Sequence, residues 1–340
     1  MIFLRALIKI DIKKLKENFL EIKNMTNKNI IAVLKDNAYG HDLIHIAKTL
    51  SSLKVNMIAL ATFEEALLLR KNLIFTPILL FERCSYYRIL SNYKISLSIQ
   101  SLTHLKEVST SIYPLSIHLE IETGFNRFGI SEDELDEALK IIENSKLSLK
   151  GVYTHIASEI SKKEQLEKFY KVVEKIPYYS SLFIHSYSSS YILDKYKYEN
   201  TIRIGISLYG ISDKINLKQI MSINAPVLRC NKVNKGDYVS YDNEIIKENG
   251  YILTIGIGYG DGWNKSYKTI AYYKGNYLHQ IGVTNMDYLM LFSKNKIEEL
   301  SMVELLGEHL TIKDLTSTYN ISPYVFFSTL SGRIKKEYIT

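Results

Sequence analysis

Apolar residues gather along the first two thirds of the chain in short runs of six to eight positions: NIIAVLK (29–35), NMIALAT (56–62), TPILLF (76–81), KISLSI (94–99), LSIHLEI (115–121), LKGVYTHI (149–156), SLFIHS (181–186) and NTIRIG (200–205). Such runs, rich in Ile, Val and Leu, predict β-strands buried on both faces. Between them the apolar positions recur at three- and four-residue steps, as in LIHIAKTLSSL, FEEALLLRKNL, EDELDEALKIIENS and KEQLEKFYKVVEKI, which predicts amphipathic helices. Eight strands alternating with helices over about 180 residues suggest a (β/α)8 barrel of the TIM type. It is preferred to an open doubly wound sheet because the strand count closes and no Rossmann glycine fingerprint follows the first strand.

After about residue 222 the pattern changes. APVLRCNKV, DYVSYD, GYILTIGIGYG, YKTIAYYKGN, HQIGVT and YLMLFS read as short strands with Gly, Asn or Asp turns, and one helix, TIKDLTSTYN, interrupts them near the end. The predicted class is therefore α/β: an N-terminal barrel over 1–222, followed by a mostly-β C-terminal domain over 223–340. The first strand, about 1–10, is a candidate to join the C-terminal domain.

Composition narrows the partners. The 340 residues are enough for two domains. Arg5 and Lys9 break the apolar start, and no segment is long and apolar enough to span a bilayer, so no membrane partner is expected. The two cysteines, Cys84 and Cys230, have neither metal-type nor disulfide-framework spacing, so no metal is expected and a reducing cytoplasm is the simplest setting. The net charge of +7 is spread over helices where glutamates accompany lysines, which favours a solvated surface over a nucleic-acid patch.

In such a barrel, function collects at the carboxyl ends of the strands. Lys35 ends the first strand, Glu120 and Arg127 flank the end of the fifth, and His155 closes the sixth. His185 and Ser188 to Ser190 follow the seventh, and Arg203 with Gly205 ends the eighth. A strand-end lysine is usually a surface residue. The five apolar residues before Lys35 instead predict a buried stem, and a buried neutral amine can attack an aldehyde. SYSSSY is an ordinary loop by composition, yet its place beside Gly205-Ile206 suits a phosphate, whose oxygens take hydroxyl and backbone N–H bonds. Arg203 and Arg127 fit either buried ion pairs or the clamping of an anionic or ring-nitrogen partner. GIGYGDGW places Tyr259 among glycines, as an exposed turn or as a phenol presented for proton transfer.

Taken together, LKDNAYGHD, ETGFNRFG, YTHIAS, HSYSSS, TIRIGISLYG, VSYD, IGYGDGW and NMDYLM resemble segments of the alanine racemases, in the family's order and along almost the whole chain. RALIKIDIKKLKENF resembles the family's opening strand and helix. The resemblance implies the cofactor pyridoxal 5'-phosphate, bound covalently by Lys35, which then serves as one catalytic base. Tyr39, Ser189, Gly205 and Ile206 would hold its phosphate, and Arg203 would face its ring nitrogen, with His155 bonded to Arg203. Arg127 would meet the cofactor's phenolic oxygen and the substrate carboxylate. Tyr259 would be the second base, oriented by His185. In a head-to-tail homodimer, Tyr259 and Met286, with Asp287 in support, would reach the other subunit's cofactor.

Some positions depart from the family pattern. Glu120 stands where a lysine, often carbamylated, is usual; its own charge would hold Arg127. Ser188 replaces an asparagine, and Asp36 and Asp42 replace small residues. The position of a C-terminal tyrosine that touches the phosphate aligns with Gly332. The implied function is interconversion of L- and D-alanine, supplying D-alanine for a bacterial cell wall. A broad-specificity racemase and a non-catalytic binder of pyridoxal phosphate are the alternatives, and a decarboxylase of basic amino acids is disfavoured by GYGDG.

Overall fold

A computed structural model describes residues 4–194, 197–330 and 332–340. The chain opens with strand β1 (Leu7–Asp11) and a helix, Ile12–Thr26, capped where the Asp11 carboxylate accepts from the Lys14 N–H. Eight parallel strands follow: β2 (Asn29–Val33), β3 (Met57–Leu60), β4 (Ile78–Leu80), β5 (Ile95–Ile99), β6 (Leu115–Glu120), β7 (Leu147–Tyr153), β8 (Phe183–His185) and β9 (Thr201–Ile204). Neighbours in sequence are neighbours in the sheet, and β9 returns to pair with β2. At the β8–β9 seam, Arg203 N–H donates to the Tyr187 carbonyl, while the Asn200 side chain bridges Leu182 O and Ile184 N–H. The α/β barrel expected from the strand count is the observed fold. Its strands are buried on both faces, which is why they read as unbroken apolar runs.

The remaining strands are β10 (Met221–Val233), the small hairpin β11 (Tyr238–Val239) and β12 (Glu244–Ile245), β13 (Gly250–Ile255), β14 (Ile270–Tyr273), β15 (Asn276–Gln280), β16 (Leu289–Ser293), β17 (Met302–Leu306) and β18 (Lys335–Ile339). β10, β13, β16, β15, β14 and β17 pair in a closed ring, and β1 and β18 extend it from β10. The β14–β15 hairpin turns on Lys274-Gly275, both at positive φ, as a two-residue hairpin loop requires.

Four details differ from the sequence reading. β17 and β18 were not anticipated: KKEYI is a polar, half-buried segment whose strand character comes from pairing in parallel with β1. A second C-terminal helix, Pro323–Ser328, follows Ile312–Tyr319, started by Ser322 and by Pro323 at a position where a missing N–H costs nothing. GYILTIGIGYG is a strand only as far as Ile255; beyond it Gly256 and Gly258 lie against neighbouring carbonyls with no room for a Cβ. Finally, β2 ends at Val33, not Lys35. Asp36, Asn37, Ala38 and Tyr39 all take left-handed backbone angles, an arrangement that costs about 1–2 kcal/mol per ordinary residue. The turn is held from both sides: Asn37 N–H donates to Glu65, and the Asn37 amide oxygen accepts from Leu43 N–H.

Candidate active site

That left-handed turn carries Lys35 over the carboxyl end of the barrel while burying Ala38 and Tyr39 beneath it. Lys35 lines a cavity of about 580 Å³ together with Tyr39, Glu120, Arg127, His155, Ser189, Arg203, Gly205 and Ile206. The cavity is of ordinary size for a ligand pocket. The expectation of a buried Lys35 stem fails: the residue is exposed, because the strand stops two residues earlier and the turn lifts the side chain to the cavity.

At one side of the cavity the Gly205 N–H donates to Ser189 Oγ at 3.2 Å, and Ser189 Oγ lies 3.0 Å from Ser207 Oγ. Gly205 opens a one-turn helix, Ile206–Tyr209, whose first N–H groups have no partner within the turn. A Cβ on Gly205 would lie 2.7 Å from the Tyr39 hydroxyl oxygen. Serine hydroxyl, tyrosine hydroxyl and free N–H groups thus converge on a patch that only a glycine leaves open, a donor set suited to a phosphate. Gly205→Val should push Tyr39 aside at an overpacking cost of about 1–3 kcal/mol. That corresponds to roughly 5–150-fold weaker binding of pyridoxal phosphate by fluorescence titration.

Deeper in, Arg203 is buried and donates to the carbonyls of His185 (2.6 Å) and Thr154 (2.8 Å) and to His185 Nδ1 (2.7 Å). His155 Nδ1 is more distant, 3.5 Å from Arg203 Nη2. Burial lowers the Arg203 guanidinium to about 10, still charged at neutral pH. Burial first, and then the charges of Arg203, Arg127 and Lys35, pull His155 down to about 3, so its ring is neutral. His185 is completely buried and touches Arg203 and His118, not the cavity. It therefore has no nitrogen left for Tyr259, and the role implied for it is corrected: the histidine facing the cavity is His155.

Glu120 also departs from expectation. It accepts from the Tyr153 hydroxyl at 2.9 Å, and among the described residues no ion pair joins it to Arg127. Burial pushes its carboxyl above the usual range, partly offset by the Tyr153 bond and by the charges of Arg127 and Arg203. Arg127 is exposed at the rim, its guanidinium 4.3 Å from the Phe125 ring centroid.

Tyr153 and Tyr324 are among the lining residues that escaped the sequence reading. Tyr153 ends β7 and stacks on His185 at 4.9 Å. Tyr324, from the helix Pro323–Ser328, lines the cavity beside Tyr39 at 5.8 Å. Gly332, the position reached by alignment, does not line the cavity and has open space around it. The order of residues gave no signal for Tyr324, because the helix that aims it was not expected. Ser188 lines the cavity, and Asp42 caps the helix Leu43–Ser52.

Tyr259 lies elsewhere. Its turn, Tyr259–Asp261, packs on the Asn285–Met286 loop through Tyr259 N–H to Asn285 O (3.0 Å) and Gly260 N–H to Met286 O (2.9 Å). Asp261 is buried and paired with Arg5 and Arg333, and Asp287 pairs with Arg333 at 2.5 Å. Tyr259 and Met286 are both exposed on this surface and do not line the barrel cavity of their own chain.

Buried neutral histidines make the fold acid-sensitive. His41, His118 and His155 are held at about 3 and His104 at about 4, in each case mainly by burial, and His185 is lowered too. Unfolded histidine takes up a proton near pH 6.5. Between pH 6.5 and about 4 unfolding therefore binds protons, and stability falls as pH falls, by up to about 1.4 kcal/mol per pH unit for each histidine. Urea unfolding at pH 7 and pH 5 should show a much lower midpoint at pH 5; equal midpoints would contradict burial of these rings.

The chain matches the family model described as alanine racemase, N-terminal domain, over residues 10–213, and the one described as alanine racemase, C-terminal domain, over 220–338. It is 29% identical over 358 residues to alanine racemase 1 of Bacillus subtilis, covering 97% of this chain and 92% of that protein. It is 31% identical over 268 residues to the alanine racemase of Campylobacter jejuni, covering 76% and 79%. Among solved structures, an alanine racemase of Clostridium difficile superposes with a TM-score of 0.93 at 24% identity, covering 100% and 97%. One from Bartonella henselae, with covalently bound pyridoxal phosphate, gives 0.88 at 24% identity, covering 98% and 99%.

Proposed function

The chain belongs to the alanine racemase family, and from that premise we propose that it interconverts L- and D-alanine, using pyridoxal 5'-phosphate and two bases, Lys35 and Tyr259 of the partner subunit. The observation that carries this reading is the cavity itself, where Lys35, Arg203 and the Ser189–Gly205–Tyr39 cradle meet. These residues fit the cofactor: an amine for its aldehyde, converging donors for its phosphate, and a fixed cation for its ring.

When bound, pyridoxal phosphate supplies an electron sink that acidifies the hydrogen on the substrate's α-carbon. Lys35 would carry the cofactor, and on one face its Nζ would take or return that proton. Tyr39, Ser189, Tyr324 and the N–H groups of Gly205 and Ile206 would anchor the phosphate. Arg203, a cation with no carboxylate within ion-pair distance among the described residues, would face the ring nitrogen and disfavour its protonation, which would moderate the electron sink and restrain side reactions. Arg127 at the rim binds the substrate carboxylate. Glu120, accepting from the Tyr153 hydroxyl, lies beneath.

The second base must stand on the opposite face, because inverting a carbon without turning the substrate over needs one group to take the proton from one face and another to deliver a proton to the other. Tyr259 is exposed on a rigid turn and absent from its own cavity, which supports delivery to a second copy in a head-to-tail dimer. Met286 would enter with it, Asp287 holding that loop through Arg333. Neutral His155 at the cavity wall is suited to hydrogen-bond the Tyr259 oxygen there. The product, D-alanine, would serve a bacterial cell wall.

Chiral chromatography of an L-amino-acid mixture, incubated with the protein and pyridoxal phosphate, tests the reading. D-alanine alone is expected. Several D-amino acids would instead indicate a broad-specificity racemase, and bound cofactor without any D-product would overturn catalysis.

A further inference from the structure

We propose that His118, inside the barrel and away from the cavity wall, is a positioning residue that fixes the guanidinium of Arg203 by setting the proton on His185. A guanidinium donates and never accepts. Arg203 Nη1 lies 2.7 Å from His185 Nδ1, so that nitrogen must be bare. A neutral imidazole carries one N–H, which is therefore on His185 Nε2. That atom lies 3.0 Å from His118 Nδ1, which must accept, leaving the His118 proton on Nε2. The donor sequence runs one way, from Arg203 to His185 to His118.

The end of the chain shows that the arrangement is kept for its acceptor. His118 Nε2 is buried and has no hydrogen-bond partner. A buried donor without an acceptor is a cost that an apolar side chain would not carry. The fold also clears space for the ring: a Cβ on Gly151, in the adjacent strand β7, would lie 2.3 Å from His118 Nδ1. Burial holds both imidazoles in the neutral form that this sequence of donors requires.

The consequence falls on Arg203. In the opposite tautomer His185 would point an N–H at a guanidinium N–H and push it off. His118 opposes that tautomer by offering Nε2 an acceptor. Stacking of His185 on Tyr153 at 6° between planes fixes the ring without choosing the proton; the donor-only Arg203 demands a bare Nδ1, and His118 supplies the acceptor that lets Nε2 keep the proton. Held only by neutral acceptors, Arg203 presents an undiminished charge to the cavity. What that charge does to a bound ring rests on the proposed function; the relay itself does not.

The test is long-range 1H–15N NMR on histidine-labelled protein, before and after loading with pyridoxal phosphate, in wild type, His118→Phe and His118→Gln. His185 and His118 should both appear as neutral Nε2–H tautomers in the wild type, without cofactor. In His118→Phe the His185 pattern should broaden or change, and the visible absorption band of bound pyridoxal phosphate should shift. His118→Gln, whose amide oxygen can accept, should restore both. A wild-type His185 with its proton on Nδ1, or an unchanged His185 spectrum and band in His118→Phe, would overturn the proposal. Should His118→Phe fail to fold, the wild-type tautomers still decide it. The expected nitrogen pattern in a protein that takes up no pyridoxal phosphate would sink the proposed function and leave the relay standing.

Discussion

Lys35→Ala is expected to abolish alanine racemisation and, with it, covalent capture of pyridoxal phosphate. The two losses have different origins. Proton transfer by a placed base is worth about 10²–10⁴-fold. The loss of an attached cofactor adds to that, because the aldehyde is then held by the phosphate cradle and Arg203 alone. Lys35→Arg separates charge from chemistry: it keeps a cation at the turn but offers no amine that can condense. Both variants should be inactive by chiral chromatography, and neither should yield a pyridoxyl-modified Lys35 peptide after borohydride reduction, whereas wild type should. Activity in Lys35→Arg would mean that the cation, not the amine, matters there. The left-handed turn is surface-held by Asn37 and Glu65, so neither change should perturb the fold, and circular dichroism of the variants should match the wild type.

The barrel was legible because each of its strands is a short Ile-, Val- and Leu-rich run bounded by an amphipathic helix, and both patterns survive any reading of the surface. The site was legible only to the level of strand ends. Lys35, Arg203 and Ser189 meet where the barrel rule puts them. The exposure of Lys35 was not legible, since nothing in KDNAY announces four successive left-handed residues; the turn is imposed by Glu65 and Leu43 from elsewhere in the chain.

The two histidines show the limit most clearly. His155 and His185 each sit near a strand end, and pattern alone treats them alike. In three dimensions His185 lies within β8 and is sealed between Arg203 and His118, while His155 stands two residues beyond β7 and reaches the cavity. Tyr324 and Gly332 are confused for a related reason. Eight residues separate them, and only the helix Pro323–Ser328 decides which faces Tyr39. Glu120 was read as a partner for Arg127 because it stands where the resembling family carries a charged, often carbamylated lysine; burial beside Tyr153 gave it a different neighbour.

Mixing two inactive variants should restore activity. Tyr259→Phe keeps the ring that packs on the Asn285–Met286 loop and removes only the hydroxyl, so the turn should stand while one base is lost, about 10²–10⁴-fold. In that variant the α-hydrogen of one alanine enantiomer should still exchange with deuterium from solvent, through Lys35, and the other should not. If Tyr259 serves the partner's cavity, a heterodimer of Lys35→Ala with Tyr259→Phe contains one doubly damaged site and one intact site. Random re-pairing makes about half the dimers mixed, so about a quarter of wild-type activity should return. If Tyr259 served its own chain's cavity, every site in every dimer would lack one base, and mixing would restore nothing. The turn's anchors, Asp261 with Arg5 and Arg333, lie on the same chain as Tyr259. Their geometry does not depend on which partner is present, so recovered activity would report the crossing of Tyr259 between subunits and not a repaired fold.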